Sequence, residues 1–133
     1  MSFIPESEIQ DSETLYRAIH PSFWNYEEDK PTSALFKDRK GVSVDREGNR
    51  SNDDAVNFLL SSRQNFGAGK LNAGQTRRVG TYLKPDKTPE NVFHALILES
   101  ESKILLSSRK AKELSRMINI ITPPVNNKPT QSS

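Results

Sequence analysis

Two histidines, His20 and His94, occur in this 133-residue chain, and His20 sits just beyond Arg17 in the run Leu15-Tyr16-Arg17-Ala18-Ile19-His20-Pro21. Imidazole exchanges protons near neutral pH, and a guanidinium grips phosphate or carboxylate through two parallel N–H bonds. Two imidazoles beside one cation suffice for acid–base cleavage of a phosphodiester. Arg17, His20 and His94 are therefore the candidate catalytic residues. The competing reading treats each histidine as a hydrogen-bonded packing residue. It gives Arg17 a structural salt bridge with an acid of the N-terminal segment, because a buried arginine is ordinarily paired.

Other patterns that carry chemistry are incomplete. Thr32, Ser33 and Ser43 offer hydroxyls, and the first-strand Arg17, a later serine and a late acid such as Glu99 imitate the Arg–Ser–Glu layout of ADP-ribosyltransferases, a permissive match. No Gly-x-Ser-x-Gly elbow or ordered triad is present. Gly67-Ala68-Gly69-Lys70 has the look of a phosphate loop, but Leu71 stands where a metal-binding hydroxyl is required. The chain has no cysteine, so disulfides, thiolate nucleophiles and thiolate metal sites are excluded. No cluster of acids and histidines has metal-ligand spacing, and neither a metal nor a cofactor is expected.

Two surfaces are candidate binding sites. Phe23, Trp24 and Tyr26 form an aromatic group followed by Glu27, Glu28 and Asp29. Aromatics of this kind anchor protein partners, and the acids would repel a phosphate backbone, so a protein partner is expected there. A local core under a long loop is the alternative. Lys70, Arg77 and Arg78, with Lys84 and Lys87, are candidates for binding an anion, nucleic acid included. The net charge of +2 is too weak to argue for nucleic acid by itself, but it is unevenly spread. Met1 to Lys30 holds seven acids and two bases, whereas Pro31 to Glu90 holds eleven bases and seven acids.

The elements that must hold these residues follow from periodicity. Leu15, Arg17 and Ile19 alternate with Tyr16 and Ala18, the signature of a strand with Arg17 on the apolar face, stopped at Pro21. Thr32 or Ser33 starts one short helical turn through Phe36. Gly41 to Arg46 reads as a strand that turns at Glu47-Gly48-Asn49. Ser51 or Asn52 caps a helix reaching about Arg63, with Ala55, Val56, Leu59 and Leu60 on its buried face. The four glycines between Asn65 and Gly80 indicate a loop or bulged hairpin, followed by a strand over Arg78 to Leu83. Lys84 to Glu90 reads as a loop. Asn91 to Glu99 is the most apolar strand and is placed centrally in the sheet. A second helix begins at Ser107 or Ser108 and buries Ala111, Leu114, Met117, Ile118 and Ile121.

This order predicts an α+β fold, a small mainly antiparallel or mixed sheet with two helices packed on one side. The domain is expected over residues 14–122, between an acidic N-terminal arm (1–13) and a flexible polar tail (123–133). Hydrophobic residues make up 33% of the chain, enough for one modest core. Its longest apolar runs fall far short of the ~20 residues that span a bilayer. The start, MSFIPESEIQ, has neither the basic segment nor the apolar run of a signal peptide, so a soluble cytoplasmic protein is expected.

The runs LYRAIHP, TSALFK, GVSVDR and NVFHALIL resemble a family of small bacterial proteins with an LYRxIHP, SxxF and SVDR pattern. The resemblance covers about residues 14–98. It implies one compact prokaryotic domain and carries no activity with it. With no complete catalytic motif, the leading expectation is a non-catalytic protein-interaction module or accessory subunit of a larger bacterial assembly. The alternatives are a small enzyme acting on a phosphate-containing substrate, and a weak nucleic-acid-binding protein.

Overall fold

A computed structural model describes residues 2–126, so Met1 and residues 127–133 of the polar tail lie outside the described part. The chain runs through β1 (Thr14–Ile19), a 3-10 turn (Pro21–Phe23), β2 (Trp24–Asn25), β3 (Lys30–Pro31) and a second 3-10 turn (Ser33–Phe36). It continues through β4 (Val42–Arg46), α1 (Asn52–Leu60), β5 (Gly67–Asn72), α2 (Ala73–Arg78), β6 (Tyr82–Pro85), β7 (His94–Leu98), α3 (Ser108–Met117) and β8 (Asn119–Thr122). Six strands form one antiparallel sheet in the order β6-β7-β4-β1-β5-β8, and β2 pairs with β3 as a small ribbon. The fold is α+β. Among the described residues no helix is long and apolar enough to cross a membrane.

Alternation along β1 divides the core. Leu15 and Ile19 join a large cluster with Val42, Val44, Ile97 and Leu114, which α3 and the second 3-10 turn cover. Tyr16 joins a smaller cluster with Ala55, Leu59 and Ala68 beneath α1. Neighbouring strand residues face opposite ways. The two helices therefore cover opposite faces, not one side as their order implied. α1 starts where expected, with Ser51 Oγ accepting from Asp54 N at 3.1 Å and Asp53 and Asp54 in its first turn.

The glycine-rich stretch departs furthest from expectation. It forms β5, whose register against β8 shifts between Ala68 and Gly69, and then α2, in place of a loop or bulged hairpin, and the following strand begins only at Tyr82 and runs on through Pro85. Gly67 and Gly69 serve close approach: a Cβ on Gly67 would lie 2.5 Å from Thr122 O, and one on Gly69 would lie 2.6 Å from the Ile118 side chain. Asn72 then caps α2, its side chain accepting from Gln75 N at 2.9 Å. β7 is second from the sheet edge, with β4 and β1 at the centre. Ile121 belongs to β8, because α3 stops at Met117 and the β-branched run Ile118 to Thr122 prefers extended backbone.

The N-terminal segment packs on the domain. Ile9 is buried in the main cluster, and Phe3 stacks on Phe93 with ring centroids 5.4 Å apart. Glu13 accepts from Arg46 Nε at 2.9 Å and from Arg46 Nη2 at 2.8 Å. The same guanidinium donates to the carbonyls of Ser7 (2.9 Å) and Pro5 (3.2 Å), so Arg46 is buried and saturated.

Candidate functional site

The site begins at a fork in the sheet. β1 pairs with β4 only at Leu15↔Arg46 and Tyr16↔Asp45. Past that point β1 stays with β5 as far as Ile19↔Gly67, while β4 stays with β7 as far as Val42↔Ile97. Where two strands part, the polar backbone groups between them need other partners. Arg17 supplies them: Nη1 donates to Ser43 O at 2.8 Å and Nη2 donates to Leu35 O at 2.7 Å. Its Nε is buried and has no partner among the described residues. Burial lowers the Arg17 pKa to about 10; Asp38 opposes that shift and the Arg63 charge adds to it.

The expected salt bridge between Arg17 and an acid of the N-terminal segment does not form. Glu13 is taken by Arg46, because the β1–β4 register sets Arg46 opposite Leu15 and close to the strand's N-terminal end. Arg17 is held by two carbonyl oxygens, which satisfy N–H groups without neutralising the charge.

A cavity of about 110 Å³ occupies the fork, lined by Arg17, His20, Ser43, Asp45, Arg63 and His94. The three candidate catalytic residues thus share one cavity. Their neighbours set the two histidines differently. Ser22 N donates to His20 Nδ1 at 3.0 Å, so Nδ1 is an acceptor and the proton of the neutral ring sits on Nε2. His94 Nδ1 lies 3.0 Å from Asp86 O, a carbonyl that only accepts, and 3.1 Å from Asp86 Oδ2. His94 Nδ1 therefore carries hydrogen, which leaves the Nε2 lone pair of the neutral ring free. In their neutral forms His94 thus presents an acceptor nitrogen and His20 a donor.

Three residues of this site were not singled out in the sequence. Asp45 follows Val44 on β4, opposite His94 on β7, and only that cross-strand register marks it. Arg63 lies just past α1 and donates to Leu59 O at 2.6 Å, closing the helix end while its charge borders the cavity. Asp86 stood in a stretch read as a loop. An acid near a histidine was the one available signal, and the sequence separation hid it.

The remaining candidates are scattered. Lys70 is on β5, Arg77 and Arg78 on α2, and Lys84 on β6. Arg77 is neutralised by Asp11 at 2.6 Å and Lys87 pairs with Glu6, so these cations do not form one free basic patch. Arg78 borders a separate groove beside Glu113 and Met117. Trp24 is only 6% exposed and belongs to the main core, with Phe23 and Tyr26 packed against it. The aromatic group thus contributes to the local core, with Phe23 and Tyr26 only partly buried. Glu99 binds Ser107 N at 2.9 Å and Lys110 Nζ at 2.9 Å at the start of α3, and does not line the Arg17 cavity. Comparison with known protein families, curated proteins and solved structures gave no match, so the geometry of the fork is what bears on function.

Proposed function

We propose that this protein binds a phosphate ester in the fork between β1 and β4 and that His94 acts there as a general base. The observation that carries the reading is Arg17, a buried cation with a free Nε and no carboxylate partner, facing a cavity that a second cation, Arg63, also borders. Two guanidiniums that make no ion pair among the described residues, in a partly desolvated cleft, favour an anion, against which the Asp45 carboxylate of the same cavity works. The cavity's 110 Å³ is several times the ~10–15 Å³ that one ordered water requires, which leaves room for a small phosphate ester.

In this reading Arg17 and Arg63 hold the phosphoryl oxygens and His20 Nε2–H donates to one of them. His94 takes a proton from the attacking water as its oxygen bonds to phosphorus, the P–O bond to the leaving group breaks on the opposite side, the leaving oxygen takes a proton from solvent, and His94 then gives its own proton back to solvent. Asp86 steadies the imidazolium formed in between. The competing reading, an accessory subunit docking through Phe23, Trp24 and Tyr26, draws little support from a tryptophan that is already buried.

Calorimetric titration with methyl phosphate, followed by turnover of 4-nitrophenyl phosphate, tests the proposal. Binding should weaken at least tenfold in Arg17→Met, and turnover should fall about 100-fold in His94→Ala with binding kept. Binding that is absent in the wild type, or unchanged in Arg17→Met, would overturn it.

A further inference from the structure

Asp45 is 3% exposed, and its two carboxylate oxygens have different surroundings. Oδ1 accepts from Asn91 Nδ2 at 2.8 Å. Oδ2 is buried and has no partner among the described residues. A buried carboxylate oxygen without a donor is costly, and such atoms are uncommon enough in folded proteins to need a reason. None of the cations nearby is hydrogen-bonded to Oδ2. Arg17 and Arg63 line the same cavity, but neither forms an ion pair with Asp45 among the described residues. The Asp45 charge acts on Arg50, whose Nη1 is likewise buried without a partner among the described residues, while the Arg50 guanidinium lies 3.5 Å from the Phe93 ring centroid and its Nη2 donates to Arg46 O at 2.7 Å.

The cavity therefore joins two cations that call for an anion to a carboxylate that calls for a donor. We infer that its ligand carries a hydrogen-bond donor, a hydroxyl or an ammonium group, a few bonds from the phosphate, and that Asp45 Oδ2 accepts from it. This rests on the phosphate reading and narrows it from any phosphate ester to one with a neighbouring donor. Asp45 then sets specificity, and Asn91 fixes which oxygen faces the ligand.

Three probes at about pH 8, where phosphate monoesters are dianions because their second pKa is about 6, separate the possibilities. Methyl phosphate has no donor, O-phosphoethanolamine offers an ammonium, and glycerol 2-phosphate offers hydroxyls. At least one of the donor-bearing esters should bind about tenfold tighter than methyl phosphate, and which one does so assigns the donor. In Asp45→Asn the Asn91 donor holds the amide oxygen at the Oδ1 position and turns the amide nitrogen toward the ligand. The advantage should then shrink to about twofold or less, with methyl phosphate binding retained. Methyl phosphate binding with no gain for either donor ester overturns the inference alone. If none of the three binds, the phosphate reading falls and takes this inference with it. Should Asp45→Asn not fold, the wild-type ranking of the three esters still decides.

Discussion

Arg46 and Arg17 lie at opposite ends of the short β1–β4 ladder, and they have been accommodated in contrary ways. At the paired end, Arg46 meets a bidentate carboxylate from Glu13 and carbonyls from the N-terminal segment, with Phe3 beneath its guanidinium at 4.9 Å. At the splayed end, Arg17 meets two carbonyls, keeps its Nε free and has another cation nearby. Burial is costly for either guanidinium, and of the two only Arg46 has a carboxylate in direct contact. The contrast separates a cation that holds a fold together from one that awaits a ligand.

The largest expected effect falls at the paired end. Arg46→Ala leaves the Glu13 carboxylate and several carbonyls without a donor, and should cost about 3 kcal/mol of stability in urea denaturation. A cost below about 1 kcal/mol would remove the difference between the two ends. The splayed end should respond far less. Arg17→Met loses two hydrogen bonds to carbonyls but relieves an unneutralised buried charge, and should stay within about 1 kcal/mol of the wild type. Destabilisation as large as that of Arg46→Ala would make Arg17 a structural residue like its neighbour.

Local patterns in the sequence carried the reading as far as faces and caps. The alternation Leu15, Arg17, Ile19 put Arg17 on the apolar face, and Ser51 and Ser107 marked two helix starts because capping is decided within one turn. What needed non-local register was not legible. Nothing near Glu13 shows that it meets Arg46, since that pairing depends on Leu15 lying opposite Arg46 across two strands. Gly67 and Gly69 suggested a turn because glycine permits one, whereas here they admit β8 and Ile118. The cavity itself exists because two strands diverge after two residue pairs, a property of the whole sheet. Asp45 and Asp86 could be assigned to it only once His94 had been placed.

The most direct measurement is the Nε–H signal of each arginine in a ¹⁵N–¹H correlation spectrum recorded as methyl phosphate is added, with assignments from Arg17→Met and Arg46→Lys. Because Arg17 Nε is buried and unpartnered while Arg46 Nε is bound to Glu13, the Arg17 resonance should shift in a saturable way and the Arg46 resonance should stay in place. A stationary Arg17 signal at saturating methyl phosphate, or equal movement of both signals, would contradict the assignment of the fork as the ligand site.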